Sequence, residues 1–285
     1  MILTPDALLE KAVRRLAGNV EARREAQVLL GHAMGVSRAW LAAHGDDVVA
    51  APAAAIFQSL VERRRAGEPV AYLLGSRDFY GLDFRVTADV LIPRADTETL
   101  VDAALEILDR DRAQHVVDLG TGSGCIAVAI AHERPLARVT AIDASAPALD
   151  VARGNALANG VNVEFVHGHW FGPLAGRRFD LIISNPPYVA AGDPHMSRGD
   201  LRFEPEQALA AGSDGLRDIR CIISGAPAHL RAGGRLLIEH GHDQAAACRD
   251  LLRDAGFVGL TSRLDVAGTP RVAGGRLLTH KSPYR

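Results

Sequence analysis

The chain has 285 residues, 48% hydrophobic and 23% charged, with a formal net charge of -2, enough for a sizeable core and about two domains of ordinary size. So balanced a charge gives no global field towards nucleic acid or an acidic membrane, and neither is expected as an obligatory partner, although a local basic patch is not excluded. Cys125, Cys221 and Cys248 are widely spaced and form no CxxC pair, which fits a reducing compartment better than a disulfide framework and predicts a cytoplasmic protein.

Thr4-Pro5 combines an N-cap with proline at the first helical position, and Leu8, Leu9, Val13 and Leu16 follow as a helical apolar stripe. Asp6 and Glu10 interrupt this segment, and no run anywhere approaches about 18 apolar residues, so neither a signal peptide nor a membrane span is expected. Helical patterns continue over 21–34 and 52–66, the latter with Ile56, Leu60 and Val61 facing inward. Residues 1–68 therefore read as a small helical bundle. Arg63-Arg64-Arg65 closes it; a nucleic-acid contact is one reading, a solvated helix C-terminus complementing the dipole is the plainer one.

Between Val70 and Pro93 apolar residues alternate around Phe79, Tyr80, Leu82, Phe84 and Val86, with Gly81 at a turn. That pattern predicts a hairpin, and 69–93 reads as a connector or lid. An amphipathic helix follows over 97–109. Strands are predicted at 115–119, 138–143, 162–166, 179–184, 235–239, 257–264 and 274–280, with helices between most of them. Residues 94–285 thus form a second domain of the α/β class, a doubly wound and mainly parallel sheet.

The segment 115–131, HVVDLGTGSGCIAVAIA, sets Gly120, Gly122 and Gly124 between a strand and a helix, where glycines let the backbone approach a ligand and expose helix N-terminal amides. Cys125 stands where a dinucleotide fingerprint wants its third glycine, and Asp118 precedes the loop inside the strand. A charge there suits a ligand amine better than a pyrophosphate, so the loop points to a cationic nucleoside rather than NAD. The competing reading of Asp118 is a strand-end carboxylate that receives loop amides. Asp143 ends the next strand, about 20 residues beyond the loop, where a carboxylate accepts the hydroxyls of a ribose. Its alternative role is a helix N-cap, for which Ser145 is better placed.

RFDLIISN runs apolar to the C-terminal edge of its strand and continues into Pro186-Pro187-Tyr188. Residues before proline are driven to extended conformations, and the two prolines carry no N–H, so the corner is stiff and rich in acceptors. The Asn185 side-chain oxygen and the Pro186 carbonyl can together accept both hydrogens of a planar NH2 group, with Tyr188 packed on its face. Such a nitrogen has a delocalised lone pair; gripping both hydrogens bends it towards tetrahedral geometry and aims the lone pair at an electrophile. No Ser/His/Asp triad is required. His167, His169, His240 and His242 lack metal-ligand spacing, and no metal is expected.

With GEPVAYLLG (67–75), LIPRADTETLV (91–101), RFEP (202–205), ALAAGSDGL (208–216) and GGRLLIEHG (233–241), these motifs resemble, over nearly the whole chain, the HemK/PrmC glutamine N5-methyltransferases. These are class I S-adenosylmethionine-dependent enzymes that modify peptide chain release factors. The resemblance implies a seven-stranded methyltransferase domain behind a helical domain that docks the release factor. It implies S-adenosylmethionine as cofactor, S-adenosylhomocysteine as product, and the glutamine of a Gly-Gly-Gln loop as substrate. It also implies cofactor contacts from Asp118, Gly120, Thr121, Gly122, Ser123, Gly124, Asp143, Trp170 and Asn185. Asn185, Pro186, Pro187 and Tyr188 would hold the glutamine amide, Asn185, Pro186 and Tyr188 acting catalytically, with Phe84, Arg94 and Glu98 near the same cleft. For Arg94 and Glu98 a surface or interdomain ion pair is the alternative. His169 departs from the family's aspartate before the tryptophan; a neutral imidazole can still accept a hydrogen bond there. A monomer without nucleic-acid requirement is expected. Other readings are a ribosomal-protein glutamine methyltransferase, an adenine-N6 nucleic-acid methyltransferase acting on a flipped base, a noncatalytic binding module, and an NAD-dependent oxidoreductase disfavoured by Cys125.

Overall fold

The computed structural model describes residues 3–197 and 199–278. The chain divides into two units, Met1–Ser76 with Gly199–Phe203, and Arg77–Arg198 with Glu204–Arg285. The first boundary therefore falls within the expected connector, and a short stretch from far along the sequence joins the helical unit.

The helical unit contains α1 (Pro5–Arg15), α2 (Ala22–Met34), α3 (Arg38–Ala43), α4 (Ala51–Arg65) and α5 (Val70–Leu74). Thr4 caps α1, its Oγ1 accepting from Ala7 N at 3.3 Å, and Gly35 ends α2 in the left-handed region at φ 67°, a conformation glycine adopts without strain. Leu8, Leu9 and Ala12 of α1 meet Leu29 and Leu30 of α2 and Phe57, Leu60 and Val61 of α4 in one buried cluster. Ile56 is not part of it: half its surface is exposed, 50%. The inward face of α4 runs through Ala54, Phe57 and Leu60–Val61, and Ile56 lies one residue, about 100°, off that stripe. The arginines at the end of α4 are spent within the unit. Arg63 pairs with Glu68, Arg65 with Glu62, and Arg64 with both Glu25 and Asp200. Arg63 and Arg65 make a solvated, ion-paired helix end, whereas Arg64 is largely buried among its partners.

The boundary at Ser76 falls on the first residue of a hairpin, β1 (Ser76–Phe79) and β2 (Leu82–Arg85), the rest of which opens the second unit. Tyr80 and Gly81 both take positive φ, 55° and 72°, the two-residue turn whose twist matches paired strands. Then come α6 (Glu98–Ile107), β3 (His115–Leu119), α7 (Cys125–Glu133), β4 (Arg138–Asp143), α8 (Ala146–Ala158), β5 (Val163–His167), β6 (Phe179–Ser184), α9 (Arg217–His229), β7 (Leu230–Glu239), α10 (Ala245–Asp254), β8 (Phe257–Leu264) and β9 (Pro270–Leu277). The predicted 274–280 strand starts earlier than expected, and positions 279–280 lie outside the described residues. Likewise β7 starts at Leu230, crossing Gly233-Gly234 with a register shift against β6, as glycines at a bulge allow.

The sheet has seven strands in the order β5-β4-β3-β6-β7-β9-β8. Neighbours are parallel up to β7, and β9 runs antiparallel to both β7 and β8. Two apolar layers cover it: α6 and α7 pack on one face with Val116, Leu181 and Ile183, while α9 and α10 pack on the other with Val117, Ile182 and Leu236. Strand order reverses between β3 and β6, and in such sheets the crevice beyond the strands' C-terminal ends at that reversal accepts ligands. The glycine loop leaves β3 there, and the Asn-Pro-Pro-Tyr corner leaves β6.

Candidate active site

Beyond the C-terminal ends of β3, β4 and β6 lies a cavity of about 650 Å³, within the range of small-molecule sites. Gly120, Thr121, Gly122 and Ser123 line it, with Asp143, His169, Trp170, Asn185, Pro187 and Arg94. The loop is set by the strand beside it: the Gly120 and Thr121 amides both donate to Ile142 O, at 2.8 and 2.9 Å. Gly120, Gly122 and Gly124 hold φ of 75°, 55° and 82°, a region that other residues enter only under strain.

Asp143 fastens this loop. Its Oδ2 accepts from Gly122 N and its Oδ1 from Ser145 N, each at 2.8 Å, which leaves each oxygen a further lone pair for hydroxyl donors. Ser145 caps α8 by accepting from Ala148 N at 3.2 Å. Trp170 stands in the left-handed region at φ 46°, a strained state for an aromatic residue. Its indole nitrogen is buried with no hydrogen-bond partner among the described residues, and His169 meets its ring edge-on at 5.1 Å between centroids. A bare glycine floor, an anchored carboxylate with spare lone pairs, an indole wall and an unpartnered N–H make a donor and acceptor set that fits a nucleoside such as S-adenosylmethionine.

Several expected residues stand elsewhere. Asp118 is fully buried behind the loop and does not line the cavity; it accepts from Thr121 Oγ1 at 2.6 Å, and its other oxygen has no partner among the described residues. It clasps the loop instead of facing a ligand amine. Burial pushes its pKa up to about 7. Gly124 also sits behind the cavity, where a Cβ would stand 3.0 Å from Ala152 Cβ, so it permits the packing of α7 on α8. Phe84 is buried in the core, edge-on to Phe79 at 6.0 Å, and does not reach the cleft. Glu98 holds the hairpin, accepting from Tyr80 N at 2.9 Å. Arg94 does line the cavity and pairs with the buried Glu204, which also accepts from Ile92 N at 3.0 Å. An ion pair is the alternative expected for Arg94, but this one is neither at the surface nor interdomain: the Glu204 carboxylate is buried and lies in the same unit.

At the corner after β6, Ser184 Oγ donates to Leu119 O at 2.6 Å and so ties β6 to β3. Asn185 faces the cavity, and its Nδ2 donates to Thr97 Oγ1 at 3.2 Å. No partner is found for its Oδ1 among the described residues. Pro187 lines the cavity, whereas Pro186 and Tyr188 do not. The Tyr188 ring turns into the core, its hydroxyl donating to Glu239 Oε1 at 3.3 Å, and its backbone carbonyl accepts from Gln244 Nε2 at 3.0 Å. Tyr188 therefore anchors the corner instead of covering a ligand's face.

Thr97, Leu91, Gln207 and Asp218 also line the cavity and were not singled out from the sequence, and His167, weighed there only as a metal ligand, lines it too. The apolar LIP immediately before Arg94 was the available signal for Leu91. Among the described residues no group of three or more His, Cys, Asp or Glu converges as a metal ion would require, and no helix is long and apolar enough to cross a membrane.

Residues 7–75 match the PrmC N-terminal domain family and residues 96–200 the methyltransferase small domain family. The chain is 54% identical to a release factor glutamine methyltransferase of Xylella fastidiosa over 96% of its own length and 98% of that protein's. With the protein of that name from Bordetella pertussis it shares 49% identity, over 97% and 100% respectively. Among solved structures, a methyltransferase from Pyrococcus furiosus superposes with a TM-score of 0.54 at 17% identity, covering 78% of this chain and 98% of that one. At that identity the likeness shows the fold alone, which is that of the sheet described above. On the full-length similarity, the chain belongs to the release factor glutamine methyltransferase family.

Proposed function

We propose that this protein methylates the side-chain amide nitrogen of the glutamine in the Gly-Gly-Gln loop of peptide chain release factors. One observation carries the proposal: the glycine loop and Asn185 open into the same cavity, so a nucleoside-borne methyl group and a planar amide can meet there.

S-adenosylmethionine, when bound, would supply a sulfonium methyl group: the S–CH3 bond breaks as the N–CH3 bond forms, S-adenosylhomocysteine is left, and the surplus amide proton is lost to solvent. The glycine loop holds the nucleoside end, with Asp143 accepting from its hydroxyls and Trp170 walling the base. Asn185 Oδ1 accepts from the substrate NH2, and Pro187, which lines the cavity beside it, carries no N–H that would compete for that lone pair. Orientation and electrostatics then do the catalysis, because an amide N–H is too weakly acidic to be deprotonated beforehand at neutral pH and its delocalised lone pair is a poor nucleophile. Docking of the release factor is assigned to the helical unit, which is supported by its match to the PrmC N-terminal domain family.

Incubation with radiolabelled S-adenosylmethionine and an unmodified release factor is expected to label the Gly-Gly-Gln glutamine and no other residue. Label on a ribosomal protein instead, or none despite measurable cofactor binding, would overturn this reading.

A further inference from the structure

The hairpin strand β2 has no part in the reaction as written, yet one side chain joins it to the glycine loop. Asn155 on α8 is 1% exposed and spends its amide on two backbone segments. Its Oδ1 accepts from Arg85 N of β2 at 2.8 Å, and its Nδ2 donates to Arg85 O at 3.0 Å and to Ser123 O at 2.8 Å. The chemistry fixes which end points where: two carbonyls need the NH2 group, and one N–H needs the oxygen. Asn159, further along the same helix, donates from its Nδ2 to Asp83 O of the hairpin at 3.1 Å and to Asn155 O at 2.9 Å.

This reach depends on how closely α8 lies against the loop. Ala152, Asn155 and Asn159 are spaced by three and four residues, which puts them on one face of the helix. A Cβ on Gly124 would stand 3.0 Å from Ala152 Cβ, so the bare glycine lets α8 approach until the short Asn155 side chain meets Ser123 O. The other ties of the loop come from β4. Gly120 N and Thr121 N donate to Ile142 O, and Gly122 N donates to Asp143 Oδ2; these hold the end that leaves β3. The end that enters α7 is held through the peptide between Ser123 and Gly124. Its N–H donates to Thr121 O at 2.8 Å, and its carbonyl is the one that Asn155 takes. That peptide is fixed at both poles, and Ser123 lines the cavity.

We infer that Asn155 is a positioning residue for the nucleoside site: it sets the α7 end of the glycine loop and ties that end to Arg85, so that β2 responds to occupancy of the cavity. The inference rests on the reading of this cavity as the site of S-adenosylmethionine and is independent of which substrate receives the methyl group. A ligand that orders the loop must, by reciprocity, also order what Asn155 holds on its other side.

Binding of S-adenosylhomocysteine to the full chain, followed by calorimetry well below the thermal midpoint, tests this without a release factor. Asn155→Leu keeps the volume and removes donors and acceptor alike; its Kd should rise about 10- to 100-fold. Asn159→Ala releases Asp83 O and leaves the Asn155 amide in place, so its Kd should shift by less than about 2-fold. Amide hydrogen exchange gives a readout that general loosening would not move. In wild type, S-adenosylhomocysteine should slow exchange at Arg85, and in Asn155→Leu that ligand effect should vanish. Should Asn155→Leu fail to fold, the wild-type exchange decides alone: an Arg85 amide indifferent to saturating ligand overturns the tie. An unchanged Kd in Asn155→Leu overturns it too, as does a loss in Asn159→Ala as large as that in Asn155→Leu. If wild type binds no S-adenosylhomocysteine, the reading of the cavity fails first and this inference with it.

Discussion

Gly120 and Trp170 are in direct register across the cavity wall: a Cβ built on Gly120 would stand 3.0 Å from Trp170 Cζ3. The two share one constraint, since Gly120 holds φ 75° and Trp170 holds φ 46°. Gly120→Ala therefore meets both a ring and a left-handed backbone, the latter alone costing about 1–2 kcal/mol. The thermal midpoint should fall by about 2–8 °C, and the stabilisation that S-adenosylmethionine confers on the midpoint should shrink further. Gly122, where an added Cβ would meet nothing within 4 Å, should tolerate alanine better on sterics and still lose stability through its φ of 55°.

Asn185→Ala removes the side-chain acceptor without touching the glycine loop. Turnover should fall at least about 100-fold, the scale of losing one preorganised group at a reacting centre, while calorimetry finds the S-adenosylmethionine Kd near wild type. A large loss of cofactor affinity would instead give Asn185 a mainly cofactor-binding role.

Asp118 bears on stability through pH. Its folded pKa is raised above the ordinary aspartate value by burial, to about 7, so the folded chain binds this proton more tightly than the unfolded chain. Stability from this group is fully present at low pH and is lost as pH rises from about 4 towards 7. Asp118→Asn keeps an acceptor for Thr121 and removes the buried charge. Its melting temperature relative to wild type should therefore improve between pH 5 and pH 8; a difference that does not move with pH would show that Asp118 ionises without cost.

Glu204 is buried and holds both Arg94 and the Ile92 amide. Glu204→Gln retains an acceptor for Ile92 and loses the ion pair; Glu204→Ala loses both and leaves the amide unpaired. The alanine variant should be the less stable by about 1–3 kcal/mol, read by denaturant titration. Equal stabilities would mean that the Ile92 bond contributes nothing.

The sheet was legible wherever burial on both faces forces a continuous apolar run ended by a turn residue. Thus 115–119, 138–143 and 179–184 appear as strands with the predicted bounds; 257–264 does too, although it is a largely exposed edge strand. The short α3 and α5 were not, since helices of six and five residues carry too little periodicity to stand out. In the site, glycines and strand-end acids announced themselves by type and place. What the residues could not disclose was where Tyr188, Glu98 and Phe84 point. Tyr188 meets a carboxylate 51 positions away, Glu98 meets a backbone amide 18 positions back, and Phe84 alternates into the core simply because the hairpin has an inner face. Glu239 carried a readable signal, an acid closing the run LLIE, of the same kind as Asp118 and Asp143.

The membership of Gly199–Phe203 in the helical unit has a topological corollary. Asp200 binds Arg64, and Arg202 donates to Ala66 O at 2.6 Å, so the polypeptide leaves the sheet unit after the Asn-Pro-Pro-Tyr corner and re-enters it at Glu204. The amino-terminal helices are consequently not a removable prefix. A fragment cut at Ser76 would keep five residues evolved for absent neighbours, inserted between the corner and the carboxylate that grips Arg94, and excising the catalytic half demands two incisions where one would appear to suffice.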